Sequence, residues 1–147
     1  MKNVDVLRKE LDLYKDLSCD EEARHFIETW DKIISLRDVS TIPLILDYFK
    51  DETDYSWIFE SIRKDLEIFS DEDYVLGILK FLRVNSKDNK DWMKSFFYTI
   101  LNSEECTRIL MKNIAVAPKD RLNEIFDLIT TDSDQYVSII DTLKKAL

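Results

Sequence analysis

The chain has 147 residues, 45% hydrophobic and 35% charged, with a net charge of -9 at pH 7, one glycine and one histidine. Glycine ordinarily makes up roughly 7% of a chain, so Gly77 alone cannot form a phosphate-cradling loop. His25 has no second imidazole to share a zinc ion and no local nucleophile to serve, so neither residue is assigned a role and no metal or cofactor is expected. The acidic balance argues against nucleic acid and anionic membranes, which reward Lys and Arg clusters. A basic protein partner fits better.

The length is that of one domain, and no Pro-rich, Gly-rich or low-complexity linker divides it, so residues 1–147 read as a single unit. Cys19 and Cys106 lack metal-ligand spacing and read as reduced thiols in a cytosol. The stretch Met1 to Leu17 has no apolar signal-type run, and no later run approaches the ~20 residues of a membrane span, which points to a cytoplasmic protein.

Apolar residues recur at helical spacing nearly throughout, and the breaks carry helix-cap chemistry rather than hairpin turns, so the fold is expected to be all-α with about nine helices. A first helix is expected over Val4 to Leu17 with Leu7, Leu11 and Tyr14 on one stripe. Ser18 or Asp20 opens a second, carrying Ala23, Phe26, Ile27, Trp30, Ile33 and Ile34. Ser40 or Thr41 opens a third, with Pro43 in its first turn and Ile42, Ile45, Leu46 and Phe49 inward. Thr53 or Asp54 starts a fourth with Trp57, Ile58, Ser61, Ile62, Leu66 and Phe69 inward. Ser70-Asp71-Glu72-Asp73 starts a fifth, whose acids complement the helix dipole. Further helices follow near Asp91 to Leu101, after Ser103, at Pro118 and after Thr131. Short connections imply antiparallel neighbours, either in a globular bundle or in a HEAT-like stack of hairpins. Pairs beginning near Ile42, Asp71 and Ser103 recur about 30 residues apart, which favours the stack.

Between Asp47 and Asp73 lie Asp47, Asp51, Glu52, Asp54, Glu60, Asp65, Glu67, Asp71, Glu72 and Asp73, against Lys50, Arg63 and Lys64. These acids read equally as a steering surface for a basic partner and as a solvated, helix-capping face. They do not form an EF-hand, lacking its central glycine and terminal glutamate. Among the interleaved aromatics, Trp57 falls on the apolar stripe and is expected in the core. Tyr48 and Tyr55 are expected to be exposed, and Tyr98 lies off the stripe of Trp92, Phe96 and Ile100. The candidate partner-binding set is Asp47, Tyr48, Asp51, Glu52, Asp54, Tyr55, Glu60, Glu67 and Tyr98.

The run Ile42-Pro43-Leu44-Ile45-Leu46-Asp47-Tyr48-Phe49-Lys50-Asp51, the Asp-Leu-Glu-Ile-Phe of residues 65 to 69, and Trp92 followed by Ile100-Leu101-Asn102-Ser103-Glu104-Glu105 resemble the bacterial immunity protein 30 family, over about residues 40–112. The resemblance implies a small cytosolic helical protein that binds and silences a cognate toxin domain of a polymorphic or contact-dependent system. A basic nuclease such as a toxic RNase suits the charge. Two other classes stay open: a helical-repeat adaptor for several proteins, and an enzyme using carboxylates.

Overall fold

Asn3 begins the chain's first helix by accepting the Val6 amide at 3.0 Å, and helix α1 runs Val4–Tyr14 in a computed structural model that describes residues 3–83 and 89–147. It stops short of the expected Leu17, because Leu17 turns to a left-handed φ of 48° and carries its side chain back into the core. Helix α2 is Asp20–Ser35. Ser18 does not cap it by accepting an amide; its own N–H and hydroxyl donate to Glu22 at 2.9 and 2.7 Å, which holds that carboxyl below its ordinary pKa. Helix α3 is the six-residue Thr41–Leu46, and α4 is Ser56–Asp65, extended by a 3-10 turn at Leu66–Ile68.

Serine caps are in place at two later N-termini. Ser70 accepts the Asp73 amide at 3.1 Å ahead of α5 (Asp71–Leu82), and Ser103 accepts the Cys106 amide at 3.1 Å ahead of α7 (Glu104–Lys112). Between them lies α6 (Lys90–Leu101). A 3-10 turn at Ile114–Val116, α8 (Lys119–Asp132, entered from Pro118) and α9 (Val137–Ala146) complete the order. Among the described residues there are nine α-helices and no strand, and no helix is long and apolar enough to cross a membrane.

Helix α1 packs on α2, α6 on α7, and α8 on α9, as short connections require. The other main contacts skip one helix: α2 on α4, α3 on α5, α5 on α7 and α6 on α8. One contiguous core runs from Leu7 to Leu143, with Phe26, Trp30, Phe49, Phe59, Phe81, Phe96, Phe97 and Phe126 as its largest fully buried members. Each such aromatic, fully withdrawn from water, stabilises the fold by about 1.5–3 kcal/mol. Both cysteines are free, Cys19 exposed and Cys106 buried.

The single glycine is a packing residue. Gly77 is buried in α5, and a Cβ added there would stand 2.6 Å from Ile42 Cγ2 and 2.8 Å from Ile42 Cβ. The missing side chain therefore sets how closely α3 approaches α5. Ile42 is fully buried and its branched Cβ cannot swing aside. Gly77→Ala is accordingly expected to destabilise the protein by about 1–3 kcal/mol despite alanine's better helix propensity, as a lower midpoint in urea unfolding. An unchanged or raised midpoint would show that α3 can move away freely.

Candidate functional site

Residues 47–55 join α3 to α4 without regular structure, so polar groups there and at the end of α3 need partners beyond those of a helix. They find them on three helices. Leu46 O accepts from Asn89 Nδ2 at 3.0 Å, Lys50 O accepts from Trp92 Nε1 at 2.8 Å, and Lys50 Nζ donates to Lys15 O at 2.7 Å. Tyr48 OH donates to Asp12, and Tyr55 OH donates to Asp20 Oδ1 at 2.7 Å. The aromatic side of the segment is equally tied: the Phe49 ring centroid lies 4.9 Å from Phe59, 5.3 Å from Trp92 and 5.4 Å from Phe96.

Asp51 has a specific task in this arrangement. Asn89 occupies the N-cap position of α6 but turns its amide to Leu46, and the cap is supplied from across the fold. Asp51 Oδ2 accepts the Asp91 amide at 3.0 Å and Oδ1 accepts the Trp92 amide at 3.2 Å. A carboxylate on the first amides of a helix is favoured both by the hydrogen bonds and by the dipole.

The expected exposures reverse at two aromatics. Tyr48 is buried at 8% exposure, where desolvation and then the hydrogen bond to Asp12 push its hydroxyl well above the usual tyrosine pKa. Trp57 is 55% exposed. Helix α4 starts at Ser56 rather than near Thr53, and its inward stripe is Ile58, Phe59, Ile62 and Leu66; Phe59 occupies the inward place expected for Trp57. Tyr55 is half-buried, and its hydroxyl, held by Asp20, is pushed up to about 12.

The remaining candidates do not gather at one point. Glu52 and Asp54 are exposed on the loop. Asp47, also exposed, lines a cleft of about 480 Å³ with Asp5, Arg8, Asp38 and Leu44. Glu60 lies one turn along α4 and pairs with Arg63 at 3.0 Å, while Glu67 is exposed on the 3-10 turn past the helix end. Tyr98 sits toward the far end of α6, half-buried against Tyr136 at 5.4 Å. The acids at 71–73 stand at the start of α5. Asp71 and Glu72 share a pocket there with Glu105, Arg108 and Lys112 of α7.

What joins the loop instead is the α1–α2 corner, through Asp12 and Asp20, which the sequence pattern did not nominate. The sequence offers Asp20 only as a possible start of α2, and nothing local announces its meeting with Tyr55. A further group of acids lies between α2 and α4. Asp65 accepts from Trp30 Nε1 at 2.9 Å, and nearby Asp31 is held above the usual carboxylate pKa by partial burial, then by Asp65 and Glu28.

Residues 14–110, from the end of α1 into α7, match the immunity protein 30 family. The match begins well before residue 40, where the resemblance read from the sequence begins, and takes in all of α2. No curated protein and no solved structure matches the chain.

Two outcomes follow from this geometry. Asp51→Ala should lower stability by about 1–2 kcal/mol through loss of the α6 cap, whereas Glu52→Ala and Asp54→Ala should each stay within about 0.5 kcal/mol; urea unfolding of the three variants checks the contrast. Asp31→Asn should raise the Tm at pH 7. Because folding raises the pKa of Asp31, ionising it opposes folding only above its unfolded pKa, so the gain should vanish below about pH 4. A gain that persists at lower pH would assign the effect to something other than charge.

Proposed function

The chain belongs to the immunity protein 30 family, and on that premise we propose that it binds a cognate bacterial toxin domain, a basic nuclease such as a toxic RNase, and neutralises it through an acidic helical surface. The family supports a non-enzymatic role with a toxin protein as partner. The observation that carries the finer reading is the exposed pair Glu52 and Asp54 on a loop braced against α1, α2 and α6, in a chain of net charge -9.

Charge of one sign attracts a basic partner and speeds encounter, and a braced loop loses little entropy on docking. The exposed acids would then take the place of substrate phosphates opposite the toxin's Lys and Arg residues. Of the candidate set, Glu52, Asp54 and Tyr55 with Asp20 form the contact region, while Asp51 and Tyr48 hold it in shape. Asp47, Glu60, Glu67 and Tyr98 lie outside that centre and extend the surface at most. We read residues 1–147 as one domain acting in the cytoplasm. Its next-but-one helix contacts, α3 on α5 on α7 and α2 on α4, fit a HEAT-like stack.

A helical-repeat adaptor is the competing reading, and the two differ in affinity and salt response. A toxin inhibitor should form one tight one-to-one complex whose association rate falls steeply with salt. An adaptor should bind several proteins modestly.

The deciding experiment co-expresses candidate nuclease toxin domains with the chain or with Glu52→Lys/Asp54→Lys, which leaves the Asp51 cap intact. The wild type should restore growth against one toxin, and the variant, folded by circular dichroism, should lose that protection. Equal protection by the variant removes the acidic loop from the interface. Failure of the wild type against every nuclease domain tested overturns the nuclease reading.

A further inference from the structure

The three tryptophans are used in different ways. Trp30 is fully buried and its indole N–H is bonded to Asp65 at 2.9 Å; Trp92 is half-buried, bonded to Lys50 O at 2.8 Å and packed on Phe49. Trp57 is 55% exposed, and among the described residues its N–H meets no acceptor. Folding consumes the first two and leaves the third to solvent.

Its mount is rigid. Ile58 and Phe59, the next two residues, are fully buried, and Phe59 packs on Phe49 at 4.9 Å and Trp92 at 6.1 Å. Just before it, Tyr55 is tied to Asp20 at 2.7 Å. The indole is thus presented from the first turn of a fixed helix and loses little freedom on contact.

Acidic residues flank it in the chain. Glu52 and Asp54 precede it on the loop, both exposed, and Glu60, paired with Arg63, follows one turn along α4 with its side chain 47% exposed. Exposed Leu13 and Val116, by comparison, are aliphatic and offer no π face to a charge. An indole face attracts a cation directly, and carboxylates beside it add to that attraction while repelling anionic surfaces.

We propose that the exposed indole of Trp57, rimmed by Glu52 and Asp54, is the docking point for an arginine or lysine side chain of a basic protein partner. The cation lies on the indole face with the carboxylates at its edge. This deepens the toxin-binding reading and rests on it for the partner's identity, not for the chemistry of the patch.

Two arms test it on the full chain. In the first, octa-arginine is titrated into ¹⁵N-labelled protein and the three indole N–H resonances are followed, Trp57 being assigned by its absence in Trp57→Phe. The Trp57 resonance should shift while those of Trp30 and Trp92 stay in place, and Glu52→Gln/Asp54→Asn should abolish the shift. A stationary Trp57 resonance, or equal shifts at all three, overturns the proposal whether or not a toxin is known. In the second arm, the toxin domain against which the wild type protects is titrated calorimetrically. Trp57→Ala should weaken binding about 30-fold, Trp57→Phe much less, and Val116→Ala not at all. If wild type and Trp57→Ala bind that toxin equally, this docking point is wrong while toxin binding stands. If no toxin is bound at all, the toxin reading fails and the first arm alone decides the patch.

Discussion

The connection between α3 and α4 is irregular yet buries Tyr48 and Phe49, and α1, α2, α4 and α6 all contribute to holding it. Leucine, tyrosine, phenylalanine and lysine at 46, 48, 49 and 50 place backbone amides and carbonyls where solvent reaches them poorly. The Tyr48 and Phe49 amides donate back to Ile45 and Leu46, Asn89 and Trp92 donate to the Leu46 and Lys50 carbonyls, and Lys15 at the end of α1 accepts from the Lys50 ammonium. Phe49 then locks the arrangement from the apolar side, touching Phe59 of α4 and both Trp92 and Phe96 of α6. Moving this segment would break contacts to α1, α2, α4 and α6 together.

The same constraint sorts the carboxylates. Asp12, Asp20 and Asp51 are held by hydrogen bonds within the fold, to two tyrosine hydroxyls and the start of α6. Glu52 and Asp54, only a few positions away, project from that braced frame into solvent. A carboxylate that caps a helix and one that attracts a partner have the same charge and differ in what else they touch. Exposed charges on a rigid support are the ones able to recognise another protein without a large ordering cost.

Aromatic placement follows a similar logic. In a helix, consecutive residues point about 100° apart, so the start of α4 at Ser56 and the commitment of Ile58 and Phe59 to the core leave Trp57 facing outward. Its exposure is a by-product of helical geometry.

The sequence by itself determined the all-helical class, the caps at Ser70 and Ser103, most of the buried stripes and the family resemblance. These depend on neighbours three or four positions apart, or on short motifs that can be read locally. Only the tertiary structure decided that Gly77 sets the approach of α3 to α5, that Asp51 caps a helix forty residues away, that Tyr48 is inside and Trp57 outside, and that Tyr48 and Tyr55 of the loop meet Asp12 and Asp20 at the α1–α2 corner. Each depends on contacts between residues distant in the chain, and helical periodicity carries no information about which helix a given face will meet.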